Sequence, residues 1–292
     1  MTAFAPPSPQ DIIPLHVCQW FHQQWQQGQV GAIAPAPKPS EAATRDYLRQ
    51  ESARLQAAGY RGAIAPLERN TWHSNYRCIV ESKGRPLFWL EPELPDYWHT
   101  ALSQVGFQPI AFYRSAECAD LGRFDPRYEE LRDRFTQQGV TLRKANFHNP
   151  EAELQQIYGV AIAAFAQNFC FTPIPFTEFR QLYVPLLPAL DPEMILLATV
   201  GETVVGFALG LPDALNASRR TIILKTVAIL PQRQYAGLGR WLVVVFHERA
   251  AQQGYQSIIH ALMHEANPSM NLSRRYAQPF RRYALWGKVF AF

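Results

Sequence analysis

The sequence predicts an α/β (α+β) fold in which a mixed, mostly antiparallel sheet is flanked by helices. Two apolar segments, 194–200 and 204–211, surround a Gly-Glu pair that is typical of a tight turn, and together they predict a β-hairpin. A β-branched run over 221–230 then leads through a polar loop into an apolar segment from Gly237, which predicts a strand, a loop and a helix. A hairpin that feeds such a crossover is typical of a layered α/β domain.

The first half of the chain predicts a shorter set of elements. Residues 1–39 are expected to form an N-terminal arm and a Pro-rich linker, and 40–135 a partial domain. The predicted helices are 16–27, 40–58 and 95–105, and the predicted strands are 62–67, 76–81 and 109–113.

The second half, 139–292, is predicted to be a complete domain. Asn149, Pro150 and Glu151 supply an N-cap, a proline at the first helical position and an acidic first turn, so a helix is expected to about Phe165. The other predicted helices are 176–187, 237–253 and 267–276, and the strands outside the hairpin are 140–146, 221–230, 256–263 and 280–288.

Composition narrows the classes of function. There are 28 basic and 24 acidic side chains, a net charge of +4 without a dense basic stripe, so neither nucleic acid nor a membrane is expected as the main partner. No signal peptide and no apolar run of about 18 residues is visible. The cysteines form no C-x-x-C pair, which favours a reducing compartment, and the protein is expected to be cytoplasmic.

The stretch from Val227 to Arg240 is a candidate binding site for an anion. Its strand ends at Pro231, and Gly237 and Gly239 stand at the start of the following helix. Glycine permits close approach of the backbone to a ligand, and the first N–H groups of a helix have no partner inside the helix. Because the helix dipole also favours negative charge there, the residues alone predict a cradle for a pyrophosphate.

This stretch resembles the acyl-CoA motif of the GCN-five-related N-acetyltransferase (GNAT) superfamily, V-x-V-x-P-x-x-[RQ]-x-x-G-x-[GA]. Its specified positions are filled, with isoleucine for the second valine, by Val227, Ile229, Pro231, Gln234, Gly237 and Gly239. The resemblance covers 139–292 as a complete GNAT module, while 40–135 resembles the back half of a degenerate one, with Gly-Phe at 106–107. The whole is similar to bacterial tandem GNAT-like proteins.

The resemblance implies transfer of an acyl group from acetyl-CoA, or another acyl-CoA, to a primary amine by direct attack. It implies that backbone N–H groups of the loop and helix start hold the pyrophosphate and that the strand edge pairs with the pantetheine arm. The implied cofactor-binding residues are Val227, Ala228, Ile229, Gln234, Tyr235, Ala236, Gly237, Leu238, Gly239, Arg240 and, after the next strand, Asn267. The side chain of Arg233 or Arg240 is expected to add charge near the phosphates.

The catalytic residues depart from the pattern of the family. The register N-x-x-A-x-x-L-Y is not kept after Asn267, and Tyr276, the nearest tyrosine, is the candidate general acid. The strand before the motif offers only Lys225 among ionisable groups, so the carboxylate that many relatives place there is missing. Glu265 is the candidate general base, with His264, Asp213 or a water chain as alternatives, and a structural role stays open for all three residues.

The acceptor is expected to be a small amine or an amino-acid-like molecule. The candidate substrate-binding residues are Asn168 and Phe171, in an aromatic loop, and Asp213, at the end of the hairpin, although a core role for the aromatic residues stays open. His73 has no partner acid at a telling spacing, so a structural role is favoured. No third ligand joins His260 and His264, and no metal is expected.

Two other functions stay open. A non-catalytic acyl-CoA sensor or assembly protein is compatible with the missing strand carboxylate and the altered tyrosine register. An aminoacyl-tRNA-dependent transferase is disfavoured by the intact loop 234–239, because a tRNA donor has no pyrophosphate arm to bind. The sequence does not decide between a monomer and a homodimer.

Overall fold

The structure, a computed structural model, describes residues 13–36, 38–73, 75–122 and 125–291, so most of the predicted N-terminal arm lies outside it. The helices are α1 (Leu15–Gln26), α2 (Glu41–Ala57), α3 (Tyr97–Gln104), α4 (Tyr128–Gln137), α5 (Pro150–Phe165), α6 (Phe176–Tyr183), α7 (Leu238–Gln252) and α8 (Pro268–Ser273). The strands are β1 (Val30–Ala32), β2 (Gly62–Ala65), β3 (Cys78–Ser82), β4 (Gln108–Cys118), β5 (Val140–Lys144), β6 (Ile195–Val200), β7 (Thr203–Pro212), β8 (Thr221–Ile229), β9 (Ser257–His264) and β10 (Gln278–Val289).

These strands form one ten-stranded sheet in the order β1-β2-β10-β4-β9-β8-β7-β6-β5, with β3 beside β10. The pairs β1–β2 and β8–β9 are parallel and the other pairs are antiparallel. The predicted mixed, mostly antiparallel sheet with flanking helices is therefore confirmed.

The two halves of the chain exchange long strands at the centre of the sheet. Strand β4, from the first half, pairs with β9, and the last strand, β10, pairs with β2, β3 and β4 of the first half. Backbone hydrogen bonds thus join the segments 40–135 and 139–292 across the middle of one sheet. The division into modules stays a prediction about the sequence.

Each parallel pair belongs to a strand–helix–strand unit, β1–α2–β2 in the first half and β8–α7–β9 in the second. Helix α7 packs on the sheet together with α4, and the rings of Trp241 and Phe135 stack at 5.8 Å. Helices α5 and α6 contribute to a separate apolar cluster that includes Leu154 and Phe179.

Several elements differ from the sequence prediction. Helix α4 and strand β1 were not predicted, because α4 consists mostly of charged and polar residues and β1 has only three residues. Helix α6 ends at Tyr183 rather than near 187, and a 3₁₀ segment with Pro185 and Pro188 follows, since proline cannot donate the next helical hydrogen bond. Within the described residues, no helix is both long and apolar enough to cross a bilayer.

Candidate functional site

Strands β8 and β9 separate partway along their length. Their parallel register runs from Thr221 opposite Ser257 to Leu224 opposite His260. Beyond that point β8 continues along β7 as far as Ile229, while β9 continues along β4. Because each strand follows its other neighbour, the edge of β8 that would face β9 is open from residue 225 onward.

A cavity of about 530 Å³ lies where the two strands separate, a volume suited to a small-molecule site. Its walls are the separated ends of β8 and β9, the start of α8, and two loops, 68–77 from the first half and 165–171 from the second. Trp72 fixes the first loop on the second half. Its indole Nε1 donates to the carbonyl of Thr172 at 2.7 Å, and its ring lies 5.8 Å from that of Phe171.

The loop between β8 and α7 presents backbone N–H groups. Helix α7 starts at Leu238 and its N-cap is Gly237, which has no side chain to cap the helix. The N–H groups of Leu238 and Gly239 therefore lack a partner in the helix. Tyr235 and Leu238 are buried and anchor the loop, whereas Gln234 and Ala236 are exposed. This is the arrangement that the glycine motif predicts for an anion cradle.

Arg134, on helix α4, adds positive charge beside this loop. Its guanidinium donates to the carbonyl of Ala236. A Cβ atom built on Gly237 would lie 3.2 Å from Nη2 of Arg134, and Gly237 has a φ of +94°, which favours glycine. The Nε atom of Arg134 is buried without a hydrogen-bond partner. The loop thus offers both N–H groups and a nearby cation to a phosphate.

Arg240 and Tyr276, the predicted phosphate-site cation and general acid, share one carboxylate partner, Asp125. The guanidinium of Arg240 donates to both carboxylate oxygens of Asp125, and the hydroxyl of Tyr276 donates to the same carboxylate. Although burial alone acts to raise the pKa of Asp125, the hydrogen bonds from Arg240 and Tyr276 hold it well below the ordinary value. Burial and Asp125 raise the pKa of Tyr276 well above its ordinary value. Tyr276 is absent from the residues that line the cavity.

Glu265 and Asp213 also lie outside the lining of the cavity. Glu265 accepts hydrogen bonds from Arg114 at 2.5 Å and from Arg282 at 2.9 Å. The buried Asp213 accepts from the backbone N–H of Trp89 at 2.9 Å and thereby fixes the loop that precedes α3. These contacts are structural, which is the alternative that the sequence left open, and the catalytic and substrate-binding roles of the two residues stay predictions.

Other predicted residues do line the cavity, namely Val227, Asn267, Asn168 and Phe171. Val227 is half-buried on the open part of β8, between Thr226 and the buried Ala228. Ile229 ends the strand opposite Gly206. The structure thus gathers the predicted donor strand, the residue after β9 and the aromatic loop around one space.

Two histidines of β9 face this space. His260 is buried, with its Nε2 atom 3.0 Å from that of His247 on α7 and its Nδ1 atom 2.9 Å from the hydroxyl of Ser273. His264 accepts the backbone N–H of Ala266 at Nδ1, 3.1 Å away, so its proton is on Nε2, which is buried without a partner. Burial lowers the pKa of His264 to about 4, and the ring is a neutral hydrogen-bond donor.

Three cavity residues of chemical interest received no functional role from the sequence: His73, Arg77 and Lys225. The Nε2 atom of His73 lies 3.7 Å from Glu178, which is on α6 and 105 positions away in the chain. Arg77 is 3% exposed and its guanidinium lies over the ring of Tyr76. A local pattern could not identify these residues, because each has a contact with a residue far away in the chain: Glu178, Leu262 and Tyr183, respectively. Among the described residues, no cluster of three or more potential ligands could hold a metal ion.

Comparison with solved structures identifies the fold. The chain superimposes on a GCN5-related N-acetyltransferase from Sphaerobacter thermophilus with a TM-score of 0.54 and 13% identity, covering 86% of this chain and 69% of that one. A tandem GNAT protein from the clavulanic acid biosynthesis pathway gives a TM-score of 0.51 and 11% identity over 86% of this chain and 71% of that one.

A third solved structure is the GCN5-related glucosamine N-acetyltransferase region of a fungal multi-domain β-N-acetylglucosaminidase. Its TM-score is 0.50 at 12% identity, and the match covers 82% of this chain and 27% of that protein. No protein-family model matches the sequence, and no curated protein matches it significantly. The fold is that of the GNAT superfamily, as the glycine motif predicts.

Proposed function

We propose that this protein is an acyl-CoA-dependent N-acyltransferase, in the simplest case an acetyltransferase, that acts on a primary amine. The observation that carries the proposal is the separation of β8 from β9 beside an uncapped helix start. An open strand edge can pair with the amides of a pantetheine arm, and the helix start can bind the pyrophosphate at the end of that arm. The GNAT fold supports the same conclusion.

On the donor side, the pyrophosphate and the thioester of the acyl-CoA have matching groups. The N–H groups of Leu238 and Gly239 face the pyrophosphate, and Arg134 stands beside them with an unpartnered Nε atom. Arg233 is exposed at the tip of the loop, where it can add charge. Arg240 is neutralised by Asp125 and serves to fix the start of α7. The open backbone near Ile229 would face the thioester oxygen as negative charge develops on it.

On the acceptor side, the amine nitrogen must lose a proton as it attacks the acyl carbon. The C–N bond forms, the C–S bond breaks, and CoA leaves as a thiolate that takes up a proton. We assign the removal of the amine proton to His73, which lines the cavity and faces the carboxylate of Glu178 at 3.7 Å. The carboxylate would balance the charge of the ring once it is protonated.

The assignment of His73 is tested by the variant His73→Gln. With acetyl-CoA and an active amine, we expect kcat to fall by roughly 100-fold or more, while the affinity for acetyl-CoA measured by calorimetry stays unchanged. His99, whose side chain is outside the cavity lining, provides the control variant His99→Gln. An unchanged kcat in His73→Gln would remove His73 from the mechanism.

Calorimetry with acetyl-CoA tests the donor site through two helical glycines. Gly239 is the second residue of α7, and a Cβ there would meet Ile229 at 3.6 Å and Val227 at 3.7 Å, which is ordinary contact. Gly239→Glu should therefore keep the fold but place a carboxylate against the phosphates, and we expect at least about 100-fold weaker binding. Gly159 is exposed within α5 with open space around it, so Gly159→Glu is the matched control with unchanged binding.

A non-catalytic acyl-CoA sensor is the second candidate. It is favoured by one observation, that Tyr276 and Glu265 are both held in structural contacts with charged partners. The sensor would be supported if the wild-type protein binds acetyl-CoA, if Gly239→Glu abolishes that binding, and if no free thiol is released with any amine of a panel. If the wild-type protein binds neither acetyl-CoA nor a long-chain acyl-CoA, both functions are refuted.

A further inference from the structure

Arg77 differs from every other buried arginine in the described part of the chain. Four arginines are buried there, and three of them have a carboxylate partner: Arg85 with Glu117, Arg281 with Glu91, and Arg282 with Glu265 and Glu81. Arg77 has no carboxylate within 4 Å among the described residues. Its Nη1 atom donates to the carbonyl of Leu262 at 3.1 Å, and its Nε atom is buried without a partner.

A buried guanidinium without a counter-ion costs free energy, and the surroundings of Arg77 offset only part of that cost. Its guanidinium carbon lies 3.7 Å from the ring centre of Tyr76 and 4.2 Å from that of Tyr113, so the cation lies against two aromatic faces. Arg77 also has a φ of +66°, an unfavourable conformation for a side chain of this size, and so does Leu262 at +56°. Strained residues of this kind are found preferentially at ligand sites.

A second unpartnered donor lies beside Arg77. The ring of His264 is 4.9 Å from that of Tyr113, and its buried Nε2–H has no acceptor. Arg77 and His264 therefore flank the same tyrosine ring and both line the cavity. The other charged residues of the lining are Glu68, which accepts a hydrogen bond from Asn75 at 2.8 Å, and Lys225.

We propose that Arg77, with the Nε2–H of His264 beside it, binds a carboxylate group of a substrate. A carboxylate matches the planar guanidinium, supplies the missing counter-ion and can accept the second hydrogen bond. The carboxylate belongs either to an amino-acid acceptor or to an acyl group that ends in a carboxylate. This inference rests on the proposed function and names the chemistry that its acceptor cavity recognises.

Two matched panels test the proposal and separate the two sources. The first compares L-amino acids with their carboxamides as acceptors, measured by thiol release from acetyl-CoA. The second compares succinyl-CoA with butyryl-CoA, measured by calorimetry. We expect the charged member to be favoured by roughly 100-fold in one panel, which identifies the source, and the variant Arg77→Gln to remove that preference.

The matched control is Arg69→Gln. Arg69 is in the same loop and also has a positive φ, of +60°, but its side chain is 69% exposed, so this variant should keep the preference. Arg77→Lys keeps the positive charge but lacks the planar guanidinium, and we expect it to retain part of the preference. This variant also keeps the test valid if Arg77→Gln fails to fold. Equal responses to charged and uncharged members in both panels, or a preference that survives Arg77→Gln, would overturn the proposal. Failure of the proposed function is recognised separately, as absence of acetyl-CoA binding.

Discussion

The two strand–helix–strand units of this protein share a topology but differ at the place where a ligand would bind. In β1–α2–β2 the contact between the strands continues past the regular pairing, because Ile33 donates to Ile64 at 2.8 Å and Leu67 donates to Ile33 at 2.9 Å. In β8–α7–β9 the pairing stops at Leu224 and the strands separate. The first unit is therefore closed where the second has a cavity.

The starts of the two crossover helices differ in the same way. Helix α2 follows a Pro-rich linker and is capped by Ser40, whose hydroxyl accepts the N–H of Ala43 at 3.2 Å. Helix α7 follows a short turn and has Gly237 at its N-cap, so no side chain competes for its first N–H groups. Of the two units, only the second thus leaves both its strand pairing and its helix start incomplete.

The largest effect should come from Asp125, which anchors the start of α7 through Arg240 and Tyr276. Asp125→Asn leaves Arg240, whose side chain is only 13% exposed, without its counter-ion, and we expect it to lower the free energy of unfolding by about 3–5 kcal/mol, measured by urea denaturation. Asp133→Asn is the control, because Asp133 is 59% exposed and its loss should cost less than about 1 kcal/mol. A comparable small loss in Asp125→Asn would show that the α7 start is held by other contacts.

An intermediate effect concerns pH. Burial lowers the pKa of His247, on α7, to about 4, and burial together with His247 lowers that of His260 to about 3. In the unfolded chain both histidines have a pKa of about 6.5. Between that pH and about 4, the unfolded state therefore binds protons that the folded state does not. Stability should therefore be complete above this window and fall with decreasing pH, by about 1 kcal/mol per pH unit for each histidine.

The variant His247→Gln tests this dependence. Urea denaturation from pH 7 to 5 should give a shallower slope than in the wild-type protein, while the exposed His148→Gln should leave the slope unchanged. The polar residues buried on α2, Thr44 and Ser52, do not ionise, so the first unit has no counterpart of the two buried histidines on that helix. An identical slope in wild type and His247→Gln would contradict the assignment of two neutral histidines.

The smallest effect is expected at the capped helix. Ser40→Ala removes the cap of α2 and should lower the free energy of unfolding by about 1 kcal/mol. The affinity for acetyl-CoA should stay the same, because Ser40 lies outside the proposed site. The exposed Ser103→Ala serves as the control in both measurements. A weakened affinity in Ser40→Ala alone would break the distinction between the two units.

Much of the fold could be predicted from local signals. The hairpin 195–212, the strand–loop–helix around Gly237 and the helix that begins at Pro150 were predicted within a few residues, because periodicity, glycine and capping residues act over short distances. Helix α4 was missed. It is highly charged, with only Leu131 and Phe135 buried, so its position depends on packing against α7 rather than on its own pattern.

The residues of the candidate site also separate into those that local sequence signals indicate and those that only the fold brings together. The implied donor residues from 227 to 240 form one continuous stretch, which the structure places on the end of β8, a loop and the start of α7. Arg134, Asp125 and Glu178 could not be assigned, since each meets its partner across at least 100 positions of chain.

By itself, the sequence determined the glycine-bearing helix start, the strand before it and the mixed sheet, because these features depend on backbone conformations that neighbouring residues dictate. The tertiary structure decided which strands pair at the centre, where β10 lies between the first-half strands β2 and β4. It also decided that Arg77 lies buried without a carboxylate while Tyr276 is bound to one. Burial and charge pairing are set by residues far apart in the chain, and only the folded sheet brings those residues together.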